Sequence, residues 1–524
     1  MYILGLTHPM AWNNAACLLV DGEVALFVEE ERLNRFKQSH GLAPLKALQR
    51  CLEEAGIGLD EVDAIGVGWD VDAWERRRDK VVWDYQFKQL PLEPSDPRIR
   101  YVRHHLTHAL SGFDPSPFDA AAVLSFDGTG ENESALLGSC NGDGVTVLAT
   151  LHRRESWGYV FGKLTETLGF TPHQDEGKVM GLAAFGTPDP GGLPFVDWDA
   201  DLPRIDKKAF KRYLASLAPR RPDEEIRDEH RDLAATLQAS FERGLIAMAK
   251  WIRQRTKVKN LCLAGGCALN CAANGALLRA GVFERIFVQP ASHDAGTALG
   301  AALFVHRETT GNRAPARFHH PFFGPRFSTE DVLDLLESTG WKRFDVVGNP
   351  AAEAARRLAE GEILGWFQGP MEVGPRALGA RSILADPRDT ALRDRVNRIK
   401  GREPWRPLAP VLLEEEQGRF LVETAPSPFM LFAFSASPEA RERIPGVVHV
   451  DGTVRAQILR PEHHPRFHEL VRRFREATGV GAVLNTSFNA RGEPIVASPR
   501  DALQTFFSTG LDALVIEDVV VRKA

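Results

Sequence analysis

The stretch Arg103-His104-His105-Leu106-Thr107-His108, with the apolar run 120–126 and the turn Asp127-Gly128-Thr129-Gly130 behind it, decides how this chain is read. A helix over 104–112 would put His104 and His108 four residues apart on one face, where two imidazoles can reach one ion. His105 would point elsewhere. The run 120–126 reads as a buried strand, and an acid at its carboxyl end stands where α/β sheets expose their binding groups. Asp127 is therefore a third candidate ligand. Taken alone, the pattern describes a surface histidine pair and an acid in a turn at least as well.

Working outward toward the amino terminus, segments 2–7, 15–20 and 23–29 are apolar or alternating, and Asp21-Gly22 is a hairpin turn between the last two, so the chain opens with a β-meander. Charged residues 75–100 read as an irregular insertion, with Arg76-Arg77-Arg78 a solvated face. Toward the carboxyl terminus, 135–151 resembles another hairpin, and Gly177-Lys178-Val179-Met180-Gly181-Leu182 closes a helix-like stretch that begins near Gly158. Residues 188–228, rich in proline and charge, read as a cover or insertion. Leu233, Leu237, Phe241, Leu245 and Ile252 then lie along one stripe of a long helix. The strand from Asn260 turns through Gly265-Gly266 into a helix, presenting backbone N–H groups that suit a phosphate. A second strand at 286–288 leads to Asp294, another acid at a strand end. The main boundary is placed near Asn349.

Length and charge bound the class. A chain of 524 residues exceeds one core, so two or three domains are expected, and a net charge of −6 offers no global attraction for nucleic acid or anionic membrane. Six cysteines do not make a disulfide framework, and the opening Met1-Tyr2-Ile3-Leu4-Gly5-Leu6 lacks the layout of a signal peptide; a reduced, cytoplasmic chain is expected. No apolar stretch is long enough to span a bilayer. Cys262, Cys267 and Cys271 lack paired Cys-x-x-Cys spacing and read as core.

Two constellations carry chemistry. His104, His108, Asp127 and Asp294 suit a divalent ion such as iron, zinc or manganese, with coordination positions left for ligand oxygens. The Walker pattern is absent near Gly162-Lys163, so a bound ATP needs a different fold. The second constellation comprises Arg376, Arg381, Arg388, Arg393, Arg395, Arg398, Lys400, Arg402 and Arg406, several of them in glycine- and proline-bearing loops. Arginine forks and a lysine point charge match what a small phosphorylated molecule needs; a solvated basic face is the competing reading. Asn485-Thr486-Ser487 adds neutral donors after a strand.

These segments, together with Glu29-Glu30-Glu31-Arg32, 176–186, 263–274, 292–300, 365–386, 397–410, 451–457 and 484–496, resemble the O-carbamoyltransferases of the nodulation-factor and antibiotic-tailoring type over essentially the full length. The resemblance implies an α/β protein. Its amino-terminal domain, 1–348, would be actin-like and ribonuclease-H-like (the ASKHA class), two-lobed and similar to the enzyme that transfers threonylcarbamoyl to transfer RNA. A YrdC-like α/β domain, 349–524, would follow. It implies that the second domain converts carbamoyl phosphate and ATP to carbamoyl adenylate, and that the first passes the carbamoyl group to a hydroxyl of a small natural product or sugar. The implied metal ligands are His104, His108, Asp127 and Asp294, with iron the implied ion and magnesium accompanying ATP. Carbamoyl phosphate would be held by Arg376, Lys400, Arg406, Arg455, Asn485, Thr486 and Ser487, with Lys400 and Arg406 catalytic. The nucleotide would lie against Lys178, Gly181, Gly265, Gly266, Asn270 and Asn274.

One departure stands out. Members often carry His-Asp-Ser-Ala-Ala after the first strand, whereas this chain has Trp12-Asn13-Asn14-Ala15-Ala16. His8 is then the candidate to deprotonate the acceptor, and Trp12 the candidate to stack on an acceptor ring. Competing functions are threonylcarbamoyl transfer to transfer RNA, which would call for a strong basic surface, and a nucleotide-binding scaffold without turnover. A sugar kinase would leave the cation loops unexplained, and hydrogenase maturation would call for modules that are missing here.

Overall fold

The computed structural model describes residues 1–74 and 77–523. The side chains of Arg76-Arg77-Arg78 lie outside the described residues. The chain forms two compact units, Met1–Asn34 with Gln38–Phe318, and Arg35–Lys37 with His319–Ala524. The second unit thus starts upstream of Asn349.

The first unit opens with the expected meander: β1 (Tyr2–Leu6), β2 (Ala15–Val20) and β3 (Glu23–Glu29) are antiparallel neighbours. Asp21 and Gly22 both have positive φ, 50° and 84°, as a two-residue hairpin matched to strand twist requires. Parallel strands β4 (Ala64–Val67) and β5 (Ile99–Tyr101) extend the other side of β1, giving the order β3-β2-β1-β4-β5. A second sheet repeats this plan. In it β6 (Ala121–Phe126) is central, β7 (Glu133–Asn141) and β8 (Gly144–His152) form the antiparallel side, and β11 (Asn260–Ala264) and β12 (Arg285–Val288) the parallel side. The order β12-β11-β6-β7-β8 is that of the first sheet. This duplicated order supplies the two lobes expected of the unit.

Two buried helices connect the sheets. His104–Phe113 packs on β6, β7 and β11, Ala295–Thr310 packs on β1, β2 and β4, and the helices pack on each other. Small residues permit this closeness: an added Cβ on Gly5 would meet the Ala298 carbonyl at 1.9 Å, and one on Gly66 would meet that of Ala301 at 2.5 Å. The ribbon β9 (Val196–Asp197) and β10 (Arg204–Ile205) belongs to the 188–228 segment, and the long helix runs Asp228–Thr256.

Two expectations need correction. The stretch from Gly158 to Leu182 is two helices, Trp157–Thr167 and Glu176–Leu182, because Gly169 takes φ 75° and Pro172 and His173 follow it. Within 75–100 stands the helix Arg77–Phe87, whose Trp83 and Phe87 are buried with Leu48 and Val67, so this segment is part of the core.

The second unit is built on a mixed eight-stranded sheet. Its order is Phe344–Val346, Val519–Arg522, Ala513–Ile516, Leu364–Phe367, Arg381–Ala385, Ala482–Ser487, Ala409–Leu413 and Gln457–Leu459. Helices Pro350–Ala359 and Pro465–Thr478 pack together, and Leu358, Trp366, Phe467 and Phe474 share one core. The protein is therefore α/β throughout. No helix among the described residues is long and apolar enough to cross a membrane, and all six cysteines are free.

Candidate active site

Two helix ends and one strand end converge in the first unit. His104 and His108 lie on the same face of His104–Phe113, Asp127 follows β6, and Asp294 precedes Ala295–Thr310. One donor atom from each of the four lies within 4.8 Å of the others. His104 Nε2 is 2.8 Å from Asp127 Oδ2, His108 Nε2 is 3.2 Å from the same oxygen, and Asp294 Oδ1 is 3.9 and 4.0 Å from the two imidazole nitrogens. Both ring nitrogens of His108 and Oδ1 of Asp127 are buried without a hydrogen-bond partner. Converging lone pairs on buried imidazoles and carboxylates, some of them orphaned, are the donor set a divalent transition metal uses.

The charges are mutually dependent. Burial opposes protonation of His104, but the carboxylates of Asp127, Asp294 and Glu131 lift its pKa to about 9. Burial would raise the Asp127 carboxyl; His105 and His104 instead hold it well below the usual carboxylate range. Burial lowers His108, and brings His105 to about 3, leaving both neutral near pH 7.

Supporting residues hold these side chains in place. Glu131 Oε1 accepts the backbone N–H groups of His104 and Asp70 at 2.9 and 2.7 Å, placing a carboxylate at the start of the histidine helix. The Nδ1 of His105 is 2.9 Å from the Ser125 hydroxyl on β6 while its Nε2 stands 3.6 Å from Asp127 Oδ1, so His105 flanks Asp127 from behind the helix. The Glu29-Glu30-Glu31-Arg32 motif also finds a place. Arg32 binds Glu29 and Glu31, each at 2.9 Å, and Glu29 reaches His293 Nε2 at 3.1 Å, bracing the residue next to Asp294. Sequence reading noted the motif without this use, because His293 lies in a distant loop.

His8 is buried beside this cluster, its ring 4.2 Å from Trp69 and 6.4 Å from His104 between centroids. Burial and His104 push its pKa well down, so the imidazole is neutral. Its Nδ1 accepts the Met10 N–H at 3.3 Å. Trp12 does not offer a platform for an acceptor: both faces of its indole are covered, by His40 and His173.

The glycine turns differ in kind. Gly265 has φ 87° and an added Cβ there would stand 2.2 Å from the Phe126 carbonyl, whereas one on Gly266 would meet nothing within 4 Å. Gly265 thus serves strand packing, and Gly266 leaves open space at the turn. Asn270 caps the helix Cys271–Arg279 through Ala273 N–H and exchanges two hydrogen bonds with Gln238. Asn274 donates to the Ala268 carbonyl at 2.8 Å, Lys178 pairs with Asp175 at 3.1 Å, and Gly181 is buried in Glu176–Leu182.

In the second unit the cations divide into two groups. Arg388, Arg393 and Arg395 are paired with Asp386, Asp394 and Asp512 at 2.6 to 2.8 Å. Arg381 is buried, 3.5 Å over the Phe367 ring, and donates to the carbonyls of Gln368, Gly369 and Ala380, so it braces a loop. The other group converges: desolvation, then Arg406, Arg455 and Arg376, push Arg402 well below the ordinary arginine range. Burial, Arg402 and Arg406 do the same to Lys400. Lys400 Nζ meets Ser487 and Asn489 oxygens, all uncharged, including Asn489 Oδ1 at 2.8 Å. Arg402 reaches the Thr486 hydroxyl at 3.3 Å. The Nδ2 of Asn485 is engaged by Ala377 and Gln457, so its donors face the fold. Arg402 stood in the cation constellation read from the sequence but not in the set the resemblance implies, and Asn489 is an addition to both, identifiable only through this convergence.

A family model described as carbamoyltransferase N-terminus matches residues 80–303, and one described as carbamoyltransferase C-terminus matches residues 355–523. Nodulation protein NolNO of Sinorhizobium fredii is 38% identical over 551 aligned residues, covering 99% of this chain and 80% of that protein. The 3'-hydroxymethylcephem-O-carbamoyltransferase of Amycolatopsis lactamdurans is 33% identical, covering 68% of this chain and 67% of its own. Among solved structures, full-length HypF in its phosphate- and nucleotide-bound form aligns over 60% of this chain and 47% of that one, at 15% identity and a TM-score of 0.39.

Proposed function

The chain belongs to the carbamoyltransferase family and is an enzyme of that class; from this premise we propose that it is an ATP-dependent O-carbamoyltransferase working through carbamoyl adenylate. The observation that carries this reading is the gathering of Arg376, Lys400, Arg402, Arg406 and Arg455 in the unit matched by the C-terminal model. Glu403, 3.7 Å from Arg406, answers only part of this positive charge, so a bound anion is favoured here, and carbamoyl phosphate is a labile dianion. Water cleaves it to carbamate and phosphate, and a carbamate oxygen then attacks the α-phosphorus of ATP and releases pyrophosphate. Enclosure by these residues protects carbamate from decomposition.

The transfer step is assigned to the first unit. There the acceptor hydroxyl attacks the carbamoyl carbon, AMP leaves, and His8 takes the hydroxyl proton. To accept at Nδ1, His8 gives up the long 3.3 Å bond from Met10. His104, His108, Asp127 and Asp294 would hold a divalent ion, iron by family resemblance, which when bound supplies Lewis acidity toward the adenylate phosphate. Gly266 and the Cys271–Arg279 helix start offer N–H groups for the nucleotide. The acceptor is a small hydroxylated molecule, since the named relatives include a nodulation protein and a cephem-modifying enzyme. The test is the fate of ATP with carbamoyl phosphate and a hydroxyl acceptor: AMP and pyrophosphate are expected, and ADP would overturn the proposal.

A further inference from the structure

Asp294 differs from the other three members of its cluster in two ways. Its side chain is 22% exposed, against 1% for His104, 0% for His108 and 5% for Asp127, so it is the open edge of the site. Its two oxygens also face different groups: Oδ1 looks toward both imidazoles, at 3.9 and 4.0 Å, while Oδ2 accepts the backbone N–H of Trp12 at 3.3 Å. One oxygen is thus engaged and the other left for an ion.

The Trp12 backbone is itself held by its ring. The indole lies between His40, at 3.8 Å and 7° from parallel, and His173, at 4.3 Å and 13°, in a continuous three-ring stack. The rings come from three separate segments: the turn after β1, the segment following Glu30–Asn34, and the break between helices Trp157–Thr167 and Glu176–Leu182. Gln38 ties two of these together by donating to the His173 carbonyl. The stack is also held under strain, with positive φ at Gln38 (63°), Ser39 (46°) and His173 (65°). Non-glycine residues keep such backbones only where surroundings over-determine them, and they concentrate at ligand clamps.

We infer that Trp12 is a positioning residue: clamped by His40 and His173, its N–H holds Asp294 so that the carboxylate presents one oxygen to a metal ion. The inference rests on the metal-site reading proposed above. It also gives Trp12 a use other than stacking on an acceptor. Outer partners of metal ligands are typically worth a factor of about 10–100 in metal affinity.

The experiment uses the full chain stripped of metal and titrated with Co²⁺ alone, followed by calorimetry and by the visible absorption of the bound ion. Trp12→Ala and the double variant His40→Ala/His173→Ala are each expected to raise the Co²⁺ Kd roughly 10- to 100-fold and to shift the absorption band. Trp12→Phe, which keeps a stackable ring, is expected to retain wild-type binding. Thermal unfolding of each variant separates lost binding from lost fold; if Trp12→Ala does not fold, the histidine double variant carries the test. Wild-type affinity and spectrum in a folded Trp12→Ala or histidine double variant would overturn the inference while leaving the site standing. Wild-type protein that binds Co²⁺ no better than His108→Ala would instead overturn the metal-site reading itself.

Discussion

A Cβ added to Gly300 would stand 1.8 Å from the carbonyl oxygen of Thr107, so the two central helices of the first unit touch backbone to backbone. This contact sets the spacing between His104 and His108 on one helix and Asp294 at the start of the other. Because the obstructing atom belongs to the backbone, it cannot yield as a flexible side chain would. Gly300→Ala is expected to lower stability by ~3 kcal/mol and to weaken metal binding, read by thermal unfolding and Co²⁺ titration. Unchanged values in both would show that the helix contact does not govern the site.

Much of this site was legible because its parts obey local rules. A histidine pair at helical spacing and an acid after a buried strand are visible in His104, His108 and Asp127 without knowledge of the fold. The duplicated sheet order was not, since topology repeats here without a sequence period. Arg381 shows the opposite failure: a cation in a glycine loop resembles a ligand-binding group, yet its guanidinium is spent on Phe367 and backbone carbonyls. The ring partners of Trp12, His40 and His173, lie too far along the chain for any local pattern to join them.

Arg402 and Arg381 should therefore respond differently. Arg402→Ala removes a charged donor from the cation cluster proposed to bind carbamoyl phosphate, where a hydrogen bond to an ionic group is worth ~1.5–3 kcal/mol. Its KM for carbamoyl phosphate is expected to rise roughly 10- to 100-fold with the melting temperature little altered. Arg381→Ala is expected to lower the melting temperature and leave the KM of the folded protein unchanged. A reversed pattern would misassign the two arginines.

Lys400 should make anion binding at the proposed site pH-dependent. In the free protein its ammonium is disfavoured by burial and by Arg402 and Arg406, so its pKa lies well below the ordinary lysine value. Folding then leaves fewer protons bound than the unfolded chain holds, and stability rises with pH between the depressed value and the ordinary one. A bound dianion restores the charge, so binding should take up a proton within that window, and affinity should fall as pH rises through it. Sulfate, which does not titrate there, is the probe; calorimetry in buffers of different ionisation enthalpy should report uptake in wild type and none in Lys400→Met. Absence of uptake across the window would contradict the assignment.

The central claim, two reactions assigned to two units, is tested most directly by measuring the half-reactions separately in Lys400→Ala and His108→Ala. Carbamoyl-phosphate-dependent exchange of pyrophosphate into ATP should be lost in Lys400→Ala and retained in His108→Ala, while transfer from preformed carbamoyl adenylate to an acceptor should show the reverse. Equal loss of both half-reactions in both folded variants would contradict the division.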